Sequence, residues 1–300
     1  MCAMNTIDAP TNAPRPDAHT RLCAVIGNPV AHSLSPAMHN AAFRETGLNY
    51  IYLAFKVTHL EGCMAGLRAL DGFRGLSVTI PHKMDILQYL DEVTPLARSV
   101  GCVNTVVNAE GRLLGTITDG TGTLRAFEHA GVSLKDKTIL FAGTGGAARA
   151  VAFALADSRL PREILVLGRT PSRVARLVED LRHGSRVRVH GGDLGNTDPD
   201  KARACDVIIN ATPMGMFRHS EGESSVPRDW LHAGQVVFDM VYRPRRTRLL
   251  LDAEESGCRI IPGLEMLLFQ AVLQFELWTG QRAPDAVMRN ALQKALESDV

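Results

Sequence analysis

The run ILFAGTGGAARA, residues 139–150, constrains the fold more than any other stretch of the chain. Apolar residues suited to a buried strand lead into Gly143, Gly145 and Ala148 at G-x-G-x-x-A spacing, then into an alanine-rich helix. A chain that passes from strand through a glycine turn into helix is building a βα unit. Such units stack into a parallel sheet with helices on both faces. Gly143 permits the tight turn. Gly145 lets a pyrophosphate approach the amides of the helix N-terminus, and Ala148 keeps helix and strand close. The pattern alone is weak; its setting between strand and helix favours nucleotide binding over an empty turn.

The surrounding sequence repeats the alternation. Expected strands are Leu22–Ile26, Tyr50–Val57, Leu76–Ile80, Thr138–Phe141, Ile164–Leu167, Arg186–His190, Asp206–Asn210 and Val236–Met240. Cys102–Val107 and Arg112–Thr118 read as a β-hairpin turning near Glu110-Gly111. Helices are expected from Ser35, at His59–Leu70, Lys83–Leu90, Pro95–Val100, Thr123–Ala130, Arg173–Arg182, Thr247–Glu255, Leu264–Thr279 and Pro284–Leu296. The fold class is therefore α/β, with a boundary near residue 120. After a loose tail over 1–20, two such blocks are expected, the last helices returning to the first. A cleft between the two blocks is the natural site for a ligand.

Composition excludes several classes. The 300 residues are 45% hydrophobic and 22% charged with a net charge of +1, which argues against nucleic acid as a partner. Arg243, Arg245, Arg246 and Arg248 read as a solvated helix entrance. No apolar run reaches membrane-spanning length, and residues 1–20 lack the blocks of a signal peptide. The six cysteines are scattered without a C-x-x-C pair, as expected of reduced thiols in a cytoplasmic protein, and suggest no metal site. His32, His39 and His82 form no metal array either, and His82 reads as local structure.

The strand after the glycine turn ends in Gly168, Arg169 and Thr170, with Arg173 close behind. A carboxylate at that tip would serve an NAD ribose, whereas arginines and a hydroxyl suit the 2′-phosphate of NADP. In the first block, SVTIPHK places Lys83 just past a strand, and TITDGTG places Asp119 at the end of another. A lysine and an aspartate meeting in the cleft could exchange a proton with an alcohol as it becomes a ketone. A lysine partly removed from water is expected to have a lowered pKa. Taken alone, the pair reads first as a structural salt bridge. Ser33 and Ser35 could bind a small anion, although helix capping suffices for Ser35. Asn104, in a buried strand, needs partners that a polyol or a neighbouring loop would supply. Met214 and Met216 could fill the core or line a nicotinamide.

Together, GNPVAHSLSPAMHNAAF, SVTIPHK, GCVNTVV, TDGTG, AGTGGAARA, GRTPSR, INATPMGM, DMVYRPRRT and GLEMLLFQAVLQFELWTG resemble the shikimate dehydrogenase family, in the family's order, from residue 22 to about 280. The resemblance implies a substrate-binding and catalytic domain of 21–120 plus 262–300 and a Rossmann-type dinucleotide-binding domain over 121–261. It also implies an NADP-dependent, reversible reduction of 3-dehydroshikimate to shikimate in the route to chorismate and the aromatic amino acids. A monomer or homodimer is expected. Rival readings are a divergent paralogue acting on quinate or aminoshikimate, and a non-catalytic ligand sensor with the same fold. By matching motifs, Lys83 and Asp119 would be the catalytic pair. Ser33 and Ser35 would hold the substrate carboxylate with help from Tyr242, and Thr79, Asn104 and Gln270 would bind its hydroxyls. Gly143, Gly145, Gly146, Ala147, Arg169, Thr170, Arg173, Thr212, Met216 and Gly263 would contact the cofactor. Two departures stand out. Ile117 replaces the family's usual asparagine and, by strand alternation, is expected on the same side as Asp119. Gly168 replaces the asparagine that usually precedes Arg-Thr.

Overall fold

The computed structural model describes residues 16–297. The expected loose segment over 1–20 lies outside the described residues up to residue 15. Beyond that it is tied down: Asp17 accepts hydrogen bonds from Asn49 and from the His19 amide, and Thr20 donates to Asn49.

The first sheet contains β1 (Arg21–Gly27), β2 (Tyr50–Lys56), β3 (Phe73–Val78), β4 (Glu92–Val93), β5 (Thr105–Ala109) and β6 (Arg112–Thr116). Its spatial order is β2-β1-β3-β5-β6-β4. β1 runs parallel to β2 and β3, and the β5–β6 hairpin adds antiparallel strands beside β3. α1 (Ser35–Glu45), α2 (Leu60–Arg68) and α3 (Pro95–Val100) accompany it. The helix expected at 83–90 is instead a short 3₁₀ turn at Asp85–Tyr89.

α4 (Asp119–His129) opens the second block, followed by β7 (Thr138–Ala142), α5 (Gly146–Ser158), β8 (Glu163–Gly168), α6 (Pro171–Gly184), β9 (Arg188–Asp193), α7 (Pro199–Arg203), β10 (Val207–Asn210), β11 (Val236–Asp239), α8 (Arg248–Glu255) and β12 (Arg259–Pro262). These strands form an all-parallel sheet, ordered β12-β11-β10-β7-β8-β9. On β7, Ile139 and Phe141 face one apolar cluster while Leu140 and Ala142 face another, so the strand is buried on both sides. β12 was not expected; four residues ending in proline carry too little pattern to stand out.

The chain then returns. α9 (Gly263–Thr279) packs against α4, β3 and β5, and α10 (Asp285–Glu297) against α1. α4 begins at Asp119, four positions ahead of expectation, because Gly120 and Gly122 disguise its first turn as loop. The glycines have a packing reason: a Cβ on Gly122 would lie 2.7 Å from the Gln270 amide of α9. Among the described residues, no helix is long and apolar enough to cross a membrane.

His39 of α1 is fully buried, stacked on Tyr52 at 4.4 Å and tilted against Trp278 at 5.1 Å. Burial pushes its pKa from 6.5 down to about 3. The unfolded chain therefore takes up a proton below pH 6.5 that the folded protein refuses until about pH 3. This group removes about 1.4 kcal/mol of stability per pH unit across that window. Asp239, pushed up to about 6 by burial, works in the opposite direction as pH falls. Replacing His39 with Phe keeps a ring in the stack and removes the titration. His39→Phe is expected to lose less stability than the wild type between pH 7 and pH 5, read from denaturant midpoints at each pH. Parallel slopes would contradict the assignment.

Candidate active site

The side chains of Lys83, Asp119 and Asn104 come from three separate segments and meet at one point. Lys83 follows β3, where its carbonyl accepts from the Val103 amide at 2.8 Å. Asn104, next along, clamps β3 through its own carbonyl, which accepts from Val78 at 2.8 Å. Asp119 is the first residue of α4, where the helix dipole favours a carboxylate. Lys83 Nζ donates to Asp119 Oδ2 at 2.6 Å, and Asn104 Nδ2 donates to Asp119 Oδ1 at 2.6 Å. The Lys83 side chain keeps 21% exposure and that of Asp119 only 7%, so the ammonium is the wetter partner.

This pairing corrects one expectation. Burial does push the Lys83 pKa down, but the charge and hydrogen bond of Asp119 outweigh it, so the value stands above the ordinary 10.5. The lysine is held as an ammonium. Thr118 was missed by sequence reasoning. Its amide and hydroxyl both donate to Asn104 Oδ1, at 2.8 and 3.3 Å, which fixes the amide with its NH₂ toward Asp119. Threonine immediately before the aspartate was the only signal.

Of the other expected substrate residues, Gln270 packs on α4 and Tyr242 lies within charge reach of Lys83. Gln270 is buried on α9 where that helix crosses α4 at Gly122, and its amide is tied to the Leu267 carbonyl at 3.0 Å. Thr79 is half-buried in the turn that ends β3. Tyr242 follows β11; burial pushes its phenol up, and the charges of Arg243 and Lys83 pull the other way. Ser35 is not an N-cap as expected. Leu34 occupies that position, Ser35 is the first helical residue, and no side chain caps the helix. Ser35 is buried, and its amide donates to Ser33 Oγ at 3.4 Å. His82 bonds the Val57 carbonyl at 2.9 Å, a local structural contact.

The glycine turn lies at the end of β7. Gly143 has φ +119°, and a Cβ there would lie 2.8 Å from the Ala211 carbonyl oxygen. Gly145 caps α5, while Cβ atoms on Gly145 and Gly146 would meet nothing within 4 Å. Ala147 is half-buried behind them, and Ala148 is fully buried. An open helix N-terminus beside the β10 loop fits a dinucleotide phosphate. Arg169, Thr170 and Arg173 are exposed at the tip of β8 and the start of α6, and among the described residues neither arginine makes an ion pair. A cavity of about 650 Å³ is lined by Arg169, Thr212, Pro213, Met214, Ser225 and Trp230. Thr212 is held there by Asn210 Oδ1, which accepts from its amide and hydroxyl. Met216 is 41% exposed, and Gly263 begins α9 against the end of β11.

Residues 25–106 match the shikimate dehydrogenase substrate binding domain, and residues 263–293 the shikimate 5′-dehydrogenase C-terminal domain. A shikimate dehydrogenase (NADP(+)) of Moorella thermoacetica is 46% identical over 93% of this chain and 95% of its own. The chain belongs to the shikimate dehydrogenase family. A shikimate dehydrogenase (NADP(+)) of Methanopyrus kandleri is 45% identical over 93% of this chain and 97% of its own. The crystal structure of shikimate 5-dehydrogenase from Listeria monocytogenes, in complex with shikimate and NAD, superposes with a TM-score of 0.88. It is 38% identical and covers 93% of this chain and 99% of that one.

Both departures from the family pattern have a packing account. Ile117 is 3% exposed and belongs to the main apolar core. Strand alternation does not relate it to Asp119, because β6 ends at Thr116 and α4 has begun by Asp119. At Gly168 a Cβ would lie 2.8 Å from Val174 Cγ2 and 3.1 Å from Thr144 Cγ2, so these side chains fill the space an asparagine would need.

Asp119→Asn leaves the desolvation of Lys83 unopposed by a full charge. Its pKa is expected to fall below 10.5 in the variant and to stay above it in the wild type. The Lys83 Cε chemical shift followed by NMR across pH measures this; an unmoved titration would contradict the assignment.

Proposed function

We propose that the protein is an NADP-dependent shikimate dehydrogenase that interconverts 3-dehydroshikimate and shikimate. The observation that carries the reading is the Lys83–Asp119–Asn104 cluster, set in the same molecule as a glycine turn that opens onto a helix N-terminus. Bound NADP would supply or accept the hydride. The chain's own part is to bind, to orient and to move one proton.

In ketone reduction, the Lys83 ammonium donates a proton to the carbonyl oxygen as that oxygen becomes a hydroxyl; in oxidation it takes the proton back. Asp119 keeps the ammonium charged and aimed. Asn104, Thr79 and Gln270 are suited to the ring hydroxyls. Ser33, Ser35 and Tyr242 are suited to the carboxylate, with hydroxyls that do not repel it. Gly143, Gly145, Gly146 and Ala147 cradle the pyrophosphate. Arg169, Thr170 and Arg173 take the 2′-phosphate, while Thr212, Met216 and Gly263 border the rest of the cofactor.

We take residues 21–120 with 262–300 as the substrate-binding unit and 121–261 as the dinucleotide unit; the return of α9 and α10 to the first sheet supports that division. Free thiols at Cys23, Cys63, Cys102, Cys205 and Cys258 suit a cytoplasmic setting.

The test is a matrix of shikimate, quinate and aminoshikimate against NADP and NAD, with reduced cofactor followed by absorbance. Shikimate with NADP is expected to give the highest kcat/KM, and Lys83→Ala to lower kcat by about 10²-fold or more. Preference for quinate or for NAD would overturn the reading. The Arg169→Ala/Arg173→Ala variant is expected to weaken NADP by at least about tenfold, as for loss of charge-assisted bonds of ~1.5 kcal/mol or more, with less effect on NAD. Equal losses would remove the phosphate role.

A further inference from the structure

Behind the Lys83–Asp119 pair, a file of hydrogen bonds runs into the core. Tyr52 Oη donates to Ser77 Oγ at 2.6 Å, and Ser77 Oγ donates to Gln274 Oε1 at 2.9 Å. Gln274 Nε2 donates to Thr105 Oγ1 at 2.9 Å, and Thr105 Oγ1 donates to Asn104 Oδ1 at 2.8 Å. Asn104 Nδ2 then donates to Asp119 Oδ1. Every residue from Tyr52 to Asp119 is buried, Gln274 to 1% exposure, so bulk water cannot replace a missing member.

All the donors point the same way, and that direction is forced. The Thr118 amide needs Asn104 Oδ1 as its acceptor, which turns the Asn104 NH₂ to Asp119. Gln274 Nε2 also faces the Asn104 backbone carbonyl, an acceptor only, at 3.4 Å, so Thr105 accepts from that nitrogen and turns its own hydrogen to Asn104 Oδ1 or Thr118 Oγ1. The Gln274 carbonyl is then left for Ser77, whose own acceptor is filled by Tyr52. Aligned bonds of this kind polarise and stiffen one another. The file ends on a carboxylate, where that polarisation acts on the group holding the lysine.

We propose that Gln274 is a positioning residue. Through Thr105 it locks the Asn104 amide, and through Asn104 it holds the Asp119 carboxylate square to Lys83, without itself reaching the substrate. The proposal rests on the catalytic reading of Lys83 and Asp119 given above. Gln274 also fastens α9 to the first sheet, so a purely structural role is the alternative to be separated.

The full-length enzyme is assayed as wild type, Gln274→Leu, Gln274→Leu/Ser77→Ala/Tyr52→Phe, Asn104→Ala and Gln274→Leu/Asn104→Ala, each with its melting temperature. A misplacement of about 1 Å costs about 100-fold in rate, so a loosened Asn104 is expected to cost about tenfold in kcat for Gln274→Leu. KM for shikimate and for NADP is expected to stay within about threefold, since neither ligand loses a contact. Adding Ser77→Ala and Tyr52→Phe removes the hydroxyls left without partners and is expected to raise the melting temperature of the Leu variant without restoring kcat. Combined with Asn104→Ala, Gln274→Leu is expected to add little, because both changes remove the same constraint. Recovery of kcat in step with melting temperature, or losses that multiply, would overturn the proposal. An Asn104→Ala enzyme of wild-type kcat would sink the underlying reading together with it. A crippled Asn104→Ala beside a fully active Gln274→Leu would sink the Gln274 role alone.

Discussion

Taking a carboxylate and an ammonium out of water costs several kcal/mol for each ion, and their attraction offsets that cost only when the geometry is good and the remaining polar atoms are satisfied. At Lys83 and Asp119 both conditions are met. One carboxylate oxygen takes the lysine and the other takes Asn104, while α4 presents its positive end to the carboxylate. The surrounding strand pairings keep the two charges in register. β5 beside β3 carries Asn104 to its place, and the Val103 amide pins the Lys83 carbonyl. A slip of one residue in that pairing would turn Asn104 to the opposite face and leave Asp119 with an unsatisfied oxygen.

α4 joins this charge pair to the rest of the molecule. It lies between α5, which begins at the glycine turn, and α9, which carries Gln270 and Gln274. Arg149 of α5 donates to the Val100 carbonyl at 3.2 Å and pairs with Asp180 at 2.8 Å, so the base of the nucleotide helix is tied to α3 of the first block. At the far side, Asp239 takes Asn210, the Val241 amide and Thr247, binding the ends of β10 and β11 together. Thr212 and Tyr242 emerge from those ends. Asp239 therefore holds together the two segments that carry Thr212 and Tyr242.

Local signals made the frame legible. The glycine turn, the apolar strands and the long α9 each carry a pattern complete within a dozen or so residues. What the sequence hid depends on partners remote in the chain. α4 could not be placed from Asp119, because its glycines matter only once α9 is seen crossing at Gly122. The pKa direction at Lys83 could not be read, because burial alone points down and only a carboxylate from another segment reverses it. Ser35 looked like a cap from its neighbour Pro36, and the observed helix starts one residue earlier. Gln274 had no signal; an apolar helix interrupted by a glutamine acquires meaning only when Ser77 and Thr105 are found on either side of its amide.

The file behind Asp119 has the shape of a proton wire and the chemistry of a scaffold. Its inner end is Tyr52, whose phenol burial pushes far up, against the opposing effect of its hydrogen bond to Ser77. Beside it lies His39, driven to about 3 by burial against the opposing pull of Gln274, and therefore neutral. Two amides and two hydroxyls stand between that end and the carboxylate, and none of them ionises near neutral pH. No group along the file can act as a reservoir. A proton that leaves Lys83 must then exit by the part of its side chain still open to solvent or by the substrate itself, while the interior bonds keep the carboxylate from turning away as the charge beside it changes.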